Sequence, residues 1–243
     1  AEISPSEANV RTTVHEYGGG AWWAEGSVAW YVDYADQRLR SIRPGATEAT
    51  LLSPEPEQAS GLRFADMQVT NDGGTTWRVA GSLPDFPADG FINNVKASQH
   101  DDAVIFVAAD AHKNGDYTPY LFTTSDQGAT WRSIAGDLPE DTIVWSIEQD
   151  HVDPDLLFIG AEYGVFVSVN GGQNWHKVAG APPISFRDIV LHRRDQDLVG
   201  ATFGRGFYVL DDYTVLRHLS DDALGADAAL FPVRDAWWYV PHQ

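Results

Sequence analysis

Four residues in the second half of the chain have side chains that could bind or cleave an acidic sugar: Glu162, Tyr163, Arg187 and Arg205. Guanidinium groups bind carboxylates through paired hydrogen bonds, and a tyrosine beside a glutamate can supply the nucleophile for glycoside cleavage, with Asp188 as proton donor. Both arginines could instead form structural ion pairs across strands, and we expect this role and no catalytic residue. The candidate structural partners are Asp188, Asp211 and Asp212.

Several other reaction classes are excluded by residues that the sequence lacks. There is no cysteine, which excludes disulfides, thiolate catalysis and cysteine-ligated metals, and there is no G-x-S-x-G hydrolase motif. His151, Asp153 and Asp155 offer metal ligands, as do Asp101 and Asp102, but neither group has the spacing of a calcium loop or a zinc site. We interpret both groups as turns, and we expect no metal and no cofactor.

The charge balance is strongly acidic and argues against a nucleic acid as partner. The 35 acidic and 16 basic residues give a formal charge of −19, which repels a phosphate backbone. No apolar run is long enough to cross a bilayer, so we expect a soluble monomer with no membrane contact and no specific partner. Aspartate outnumbers glutamate 25 to 10, and 13 arginines accompany 3 lysines. A salt-rich cytoplasm and a chain with many aspartate-containing turns explain this composition equally well.

An eight-residue pattern occurs three times and determines the expected architecture. Residues 70–77, 124–131 and 168–175 each run from Thr or Ser through Asp or Asn and Gly to Trp, between short apolar stretches. The pattern predicts a hairpin turn, or Asp box, in which the Asp or Asn accepts backbone hydrogen bonds, glycine supplies a positive φ and tryptophan covers the hairpin. The residues expected to form these turns are Asp72, Gly74, Trp77, Asp126, Gly128, Trp131, Asn170, Gly172 and Trp175.

The spacing of these turns is typical of a β-propeller. Successive copies lie 54 and then 44 residues apart, which is the size of a four-stranded blade. A degenerate copy at 206–212 has lost the Gly and the Trp, and residues 17–52 predict four strands without an Asp box. We therefore expect an all-β fold: one propeller domain over residues 1–243, with about five four-stranded blades and four or six as alternatives. Pairing of strands near residues 10–14 and 237–240 would close the ring.

Two parts of the chain resemble two different families of propeller proteins. Residues 67–243 resemble the sortilin-type and bacterial glycosyl-hydrolase-like Asp-box (BNR repeat) propellers, through the Asp boxes and the strings at 153–160 and 204–212. Residues 10–66 are similar to the N-terminal propeller of prolyl-oligopeptidase-family serine peptidases, through the strings at 14–21, 36–39 and 61–66. The change between residues 66 and 67 predicts a chimeric propeller. We interpret it as engineered, with natural recombination as the alternative.

These resemblances imply a scaffold rather than an enzyme. In the peptidase family the nucleophile lies in a separate hydrolase domain, whereas sialidases carry Asp boxes on a propeller together with an arginine cluster. We expect a non-catalytic hybrid propeller with at most residual ligand binding in its central channel, through Arg187, Arg205, Glu162 or Tyr163. The alternatives are an Asp-box glycosidase of the sialidase type and a natural carbohydrate- or peptide-binding propeller.

Overall fold

Short antiparallel strands make up nearly all of the regular structure. The computed structural model describes residues 10, 22–25, 27–53, 80–219, 227–228 and 230–232. These residues form four antiparallel sheets of three or four strands and two short 3-10 helices, so the predicted all-β class is confirmed. The first Asp box (Asp72, Gly74, Trp77), the junction at residues 66–67 and the segment 237–240 lie outside the described residues. The number of blades and the closure of the ring stay predictions.

The chain divides into two compact units, Ala1–Val79 and Ala80–Gln243. In the first unit, four strands form a meander in sequence order. These strands are β1 (Trp22–Glu25), β2 (Val28–Val32), β3 (Leu39–Ile42) and β4 (Thr50–Leu51). Trp30, Val32 and Leu39 form its buried core. The four strands predicted at 17–52 are therefore present among the described residues of this unit.

The second unit contains three antiparallel sheets, each in sequence order. The first is β5 (Phe91–Ala97), β6 (Ile105–Ala111), β7 (Asp116–Thr124) and β8 (Arg132–Ser133); the second is β9 (Val144–Gln149), β10 (Leu157–Ala161), β11 (Gly164–Ser168) and β12 (His176–Lys177); the third is β13 (Phe186–His192), β14 (Asp197–Thr202) and β15 (Phe207–Leu210). The 3-10 helices are His112–Asn114 and Tyr213–His218. The strand-turn-strand repeat thus determines the topology of this unit.

The middle sheet of the second unit is buried on both faces. Successive side chains of a strand point to opposite faces, and all five residues of β10 are buried. Leu157 and Ile159 join the core shared with the first sheet, whereas Phe158 joins the core shared with the third sheet, where it packs against Phe186 and Tyr213. Two apolar interfaces therefore hold the three sheets face to face.

The Asp boxes at 124–131 and 168–175 have the same hydrogen bonds. In the first, Asp126 Oδ1 accepts from the Thr130 amide (2.8 Å) and the Gly128 amide donates to Thr124 Oγ1 (3.0 Å). The second repeats both bonds, from the Asn174 amide to Asn170 Oδ1 (3.0 Å) and from the Gly172 amide to Ser168 Oγ (2.9 Å). Hydrogen bonds from Thr124 and Thr130 lower the pKa of Asp126 from 3.8 to about 2. Local side-chain acceptors therefore stabilise both turns.

The second of these Asp boxes is also bonded to the connection before β9. The indole N–H of Trp175 donates to the Ile134 carbonyl (2.9 Å), and the Trp175 amide donates to Asp137 Oδ1 (2.7 Å). Gly136 lies so close that a Cβ there would be 2.5 Å from the Gln173 carbonyl oxygen. We call this set of contacts the interlock. A related contact precedes β5, where the Gly81 amide donates to the Gly128 carbonyl (2.7 Å).

None of the described helices has the length and apolar composition needed to span a membrane.

Candidate functional site

The first strand of each sheet in the second unit contains a β-bulge at the same position. The unpaired extra residue is Asn93 in β5, Trp145 in β9 and Arg187 in β13, because the residues on either side of each pair with consecutive residues of the next strand. A bulge turns its side chain away from the regular alternation of the strand and is frequent next to functional sites. The bulges therefore place three different side chains at the same end of neighbouring sheets.

Two of these side chains contact each other between the second and third sheets. The Arg187 guanidinium carbon lies 3.5 Å from the centre of the Trp145 ring, a stacking distance for a cation–π contact. The indole N–H of Trp145 donates to Glu162 Oε2 (2.9 Å), and the same oxygen lies 3.9 Å from Arg187. Trp145 thus links the arginine to the glutamate.

The neighbouring side chains come from equivalent hairpin turns. Glu162 begins the β10–β11 turn, and its amide donates to the Ile143 carbonyl just before β9 (3.0 Å). Phe203 begins the β14–β15 turn, and its amide donates in the same way to the Ser185 carbonyl before β13 (2.9 Å). The Phe203 ring centre lies 5.4 Å from the Arg187 guanidinium carbon. Repetition of one backbone contact therefore brings both turns to the arginine.

A buried aspartate and a histidine complete the group. Asp110 is 2% exposed and accepts hydrogen bonds from the His112 amide (3.1 Å) and from Nδ1 of the His112 ring. The His112 ring packs edge-on against Trp145, with centroids 5.6 Å apart. We define the Arg187 cluster as the residues Asp110, His112, Trp145, Glu162, Arg187 and Phe203.

The arginine of this cluster is partly desolvated, and no described residue accepts a hydrogen bond from it. Burial lowers the pKa of Arg187 below its usual value, while the charges of Glu162 and Asp110 act in the opposite direction. An arginine stays protonated under all ordinary conditions. Within the described part of the chain its guanidinium donates no hydrogen bond, and its side chain is 43% exposed. The cluster can therefore offer a fixed positive group with unused donors.

The structure brings together only two of the four residues that the sequence nominated. Arg187 lies beside Glu162, and its ion-pair partner is this glutamate rather than one of the aspartates expected from the sequence. Tyr163 and Arg205 are exposed, and among the described residues no hydrogen bond, ion pair or ring contact joins either of them to the Arg187 cluster. The other cluster members were not nominated by the sequence. Alignment of the three first strands gives Trp145 and Arg187 equivalent positions, whereas their contact appears only in the structure.

A second polar group is buried where the β9–β10 turn meets the last 3-10 helix. Asp150 is fully buried and accepts from the Tyr213 hydroxyl (2.7 Å) and from Nε and Nη2 of Arg217 (both 2.8 Å). The amides of Val152 (3.1 Å) and Asp153 (2.8 Å) also donate to it. The segment around His151, whose residue types could bind a metal, is therefore a turn organised by Asp150.

A third polar group joins the first strands of two sheets. Lys96 on β5 donates to Glu148 on β9, a residue that is almost fully buried. Burial raises the pKa of Glu148, while the charge of Lys96 and its hydrogen bond act against this increase. The pair therefore adds a pH-sensitive contact to the packing of the two sheets.

Within the described ranges, one set of side chains could hold a metal ion. His192, Asp195 and Asp197 place ligand atoms within 4.8 Å of one another near the β13–β14 turn. Asp195 already lies 3.1 Å from His192 Nδ1 and forms an ion pair with Arg194 (2.7 Å), and Asp197 accepts a hydrogen bond from the Asp212 amide (3.1 Å). Structural hydrogen bonds therefore explain these groups.

Comparison with known proteins supports a propeller-like fold. No protein-family model matches the sequence. The uncharacterized protein YCR100C of Saccharomyces cerevisiae is 32% identical over 63 residues, which are 26% of this chain and 17% of that protein. A puromycin-hydrolyzing peptidase of Mycobacterium tuberculosis is similar with a TM-score of 0.62 and 18% identity, over 88% of this chain and 40% of that one. An ancestral GH74 enzyme has a TM-score of 0.54 and 16% identity, over 80% of this chain and 29% of that one.

The chain spans less than half the length of each of these proteins. At such low identity the two structural likenesses concern the fold alone. Together with the four antiparallel sheets, they support a resemblance to β-propellers.

Proposed function

We propose that this chain is a non-catalytic β-propeller scaffold, assembled from a peptidase-propeller-like segment (residues 10–66) and Asp-box blades (residues 67–243). It closes into one ring of about five four-stranded blades, is monomeric and retains at most ligand binding. The proposed origin is engineered fusion. The boundaries follow the two resemblances in the sequence.

The arrangement around Arg187 is the observation that best supports a non-catalytic role. Cleavage of an acidic sugar needs several arginines around the substrate carboxylate and a tyrosine–glutamate nucleophile. Glu162 instead bonds to the indole of Trp145. Among the described residues, neither Arg205 nor Tyr163 has a hydrogen bond or an ion pair that would draw it into this group. These features support a structural or binding role.

The contrast between the meander at Trp22–Leu51 and the sheets of the second unit supports the hybrid assembly. The connection from β3 to β4 (residues 43–49) contains no Asp or Asn followed by glycine, whereas two hairpins of the second unit have Asp boxes. The proteins similar in structure include both a peptidase and a GH74 enzyme. Each of them matches 80% or more of this chain, so the assignment of the two parts to two families rests on the sequence resemblances.

Turnover assays test the absence of catalysis. The full chain is incubated with a fluorogenic sialoside and with puromycin, next to Arg187→Ala and Arg205→Ala variants. We expect no turnover above the buffer rate for any of the three proteins. Turnover by the wild-type chain that both substitutions abolish would overturn the proposal in favour of a sialidase-type enzyme. Puromycin hydrolysis would overturn it in favour of a peptidase.

Thermal unfolding tests the single ring. Blades that close into one ring share packed faces, so calorimetry and tryptophan fluorescence should report one coincident transition. Two separated transitions would contradict closure. Size-exclusion chromatography with light scattering should give a mass close to the 26.7 kDa of one chain, and a dimer mass would contradict the monomer.

A further inference from the structure

We propose that the Arg187 cluster binds a carboxylate attached to a flat apolar group, with the Arg187 guanidinium donating to the two carboxylate oxygens and Phe203 contacting the apolar part. This inference deepens the ligand binding included in the proposed function and rests on it. It names a ligand class for a group of residues that the sequence nominated only in part.

The Arg187 guanidinium is already fixed in position before a ligand binds. It stacks on Trp145 at 3.5 Å, and Trp145 is itself held by its hydrogen bond to Glu162. An arginine whose plane is fixed before binding loses little further side-chain entropy when a ligand arrives. The bulge in β13 keeps the side chain at the end of the sheet. The cluster is therefore preorganised for a planar partner.

Within the described residues, the hydrogen-bond donors of Arg187 are unused. Glu162 Oε2 lies 3.9 Å from the nearest guanidinium nitrogen, which is too far for a hydrogen bond, and the oxygen accepts the Trp145 indole N–H instead. No other described group accepts from this guanidinium. A carboxylate matches the fork of an arginine with two parallel hydrogen bonds. Binding would then satisfy donors that none of the described groups uses.

The local charges favour one negative charge on the ligand over two. The carboxylates of Glu162 and Asp110 both act electrostatically on Arg187. They would repel a phosphate dianion more strongly than a carboxylate, because repulsion scales with the ligand's charge. The formal charge of −19 on the whole chain acts in the same direction. The cluster therefore suits a carboxylate better than a phosphate.

The surroundings favour an apolar group next to the carboxylate. Phe203 is 71% exposed and its ring centre lies 5.4 Å from the guanidinium carbon. Phe207, at the other end of the same turn, is 76% exposed. Large exposed aromatic side chains next to a charged group are typical of binding surfaces. An aryl or arylalkyl carboxylate fits this combination better than a hydroxyl-rich sugar acid does.

Isothermal titration calorimetry with 3-phenylpropionate and the full-length chain tests this inference. We expect saturable binding that Arg187→Gln weakens at least about tenfold, because the charged fork is lost. Arg187→Lys should weaken it by about threefold to tenfold, because the charge remains but the bidentate geometry does not. Arg205→Gln is the matched control, since it also removes one exposed charge at this end of the sheets, and it should change the affinity by less than about twofold.

The choice of ligands tests each part of the proposed chemistry. The neutral amide 3-phenylpropionamide and the dianion phenyl phosphate should both bind at least about tenfold more weakly than the acid. Phe203→Ala should weaken binding of 3-phenylpropionate and leave binding of acetate unchanged. The carboxylate can come from a small acid or from the C-terminus of a peptide chain, and a short peptide that ends in phenylalanine distinguishes these two sources. Tighter binding than the free acid identifies a chain terminus, and equal or weaker binding identifies a small acid.

Three results would overturn the inference: no saturable binding of the acid, equal binding by the Arg187→Gln variant, or equal binding of acid and amide. Near-ultraviolet circular dichroism shows whether each variant is folded. If Arg187→Gln does not fold, Phe203→Ala provides a second test. Loss of this inference leaves the proposed scaffold intact, because turnover of the sialoside and of puromycin decides that separately.

Discussion

Replacement of Asp150 by asparagine should destabilise the chain more than any exposed aspartate substitution. The wild-type carboxylate accepts hydrogen bonds from Arg217, Tyr213 and two backbone amides, and it is fully buried. Asparagine presents an N–H₂ group where at least one of these donors needs an acceptor. The substitution also leaves the charge of Arg217, which is 14% exposed, without its partner.

The magnitude follows from the pKa of Asp150. Burial alone would raise this pKa, but the hydrogen bonds from Arg217, the turn amides and Tyr213 outweigh it, and the pKa falls from 3.8 to about 2. This difference corresponds to about 2 kcal/mol in favour of folding above pH 3.8, and this stabilisation is lost as the pH falls towards 2. Since asparagine also leaves a buried cation unpaired, we expect a total loss of about 3 kcal/mol at pH 7.

Urea unfolding at pH 7 measures this loss, and thermal unfolding should show a decrease in Tm of about 6 to 12 °C. The control is Asp153→Asn in the same turn, because asparagine can still accept the Asp155 amide and should change stability by less than about 0.5 kcal/mol. Wild type should lose stability between pH 4 and pH 2 more steeply than Asp150→Asn does. An Asp150→Asn variant as stable as the control, or equal acid sensitivity of the two proteins, would refute the reasoning.

Three further results are expected. Trp175→Phe should lower the free energy of unfolding, measured in urea, by about 1 to 2 kcal/mol, because it leaves the Ile134 carbonyl without its donor. Trp131→Phe should lower it by less, since within the described residues the Trp131 indole N–H has no partner. Lys96→Met should lower the free energy of unfolding by about 2 kcal/mol at pH 7, because it leaves the buried Glu148 carboxylate unpaired. This loss should become smaller as the pH falls below the raised pKa of Glu148, and a loss that does not depend on pH contradicts the pairing. The Tm of the wild-type chain should increase from low to molar salt as the acidic residues are screened, and an unchanged Tm counts against a salt-adapted composition.

The sequence predicts those parts of the structure that depend on local chemistry. The strings at 124–131 and 168–175 indicate turns because Asp or Asn, glycine and tryptophan occur within eight residues, and in both turns the Asp or Asn side chain accepts a backbone amide. The sequence also predicts a turn around His151, and there Asp150 accepts hydrogen bonds from the amides of Val152 and Asp153. The side chains that accept these turn hydrogen bonds lie within a few residues of the amides that donate them, so a single stretch of sequence contains the information.

The candidate site could be predicted only in part, because strand pairing determines it. Arg187 and Glu162 were recognisable by residue type, but their proximity depends on the bulges in β9 and β13, which appear only once the register is known. The role of Asp150 depends on Arg217, 67 residues further along the chain. The spacing of residues along the chain does not indicate contacts of this kind. The sequence therefore indicates the turns but not the long-range hydrogen bonds that the structure adds to them.

The interlock should affect the order in which parts of the second unit unfold. Gly136 and the Asp box at 168–175 join neighbouring sheets, whereas Gly180, which follows Trp175 as Gly136 follows Trp131, has no described atom within 4 Å of the position that a Cβ would take there. The third sheet also has only three strands among the described residues, and all four residues of β15 are exposed. Protection of backbone amides from hydrogen exchange should therefore decrease from β10 towards β15, which makes the third sheet the first cooperative unit to unfold.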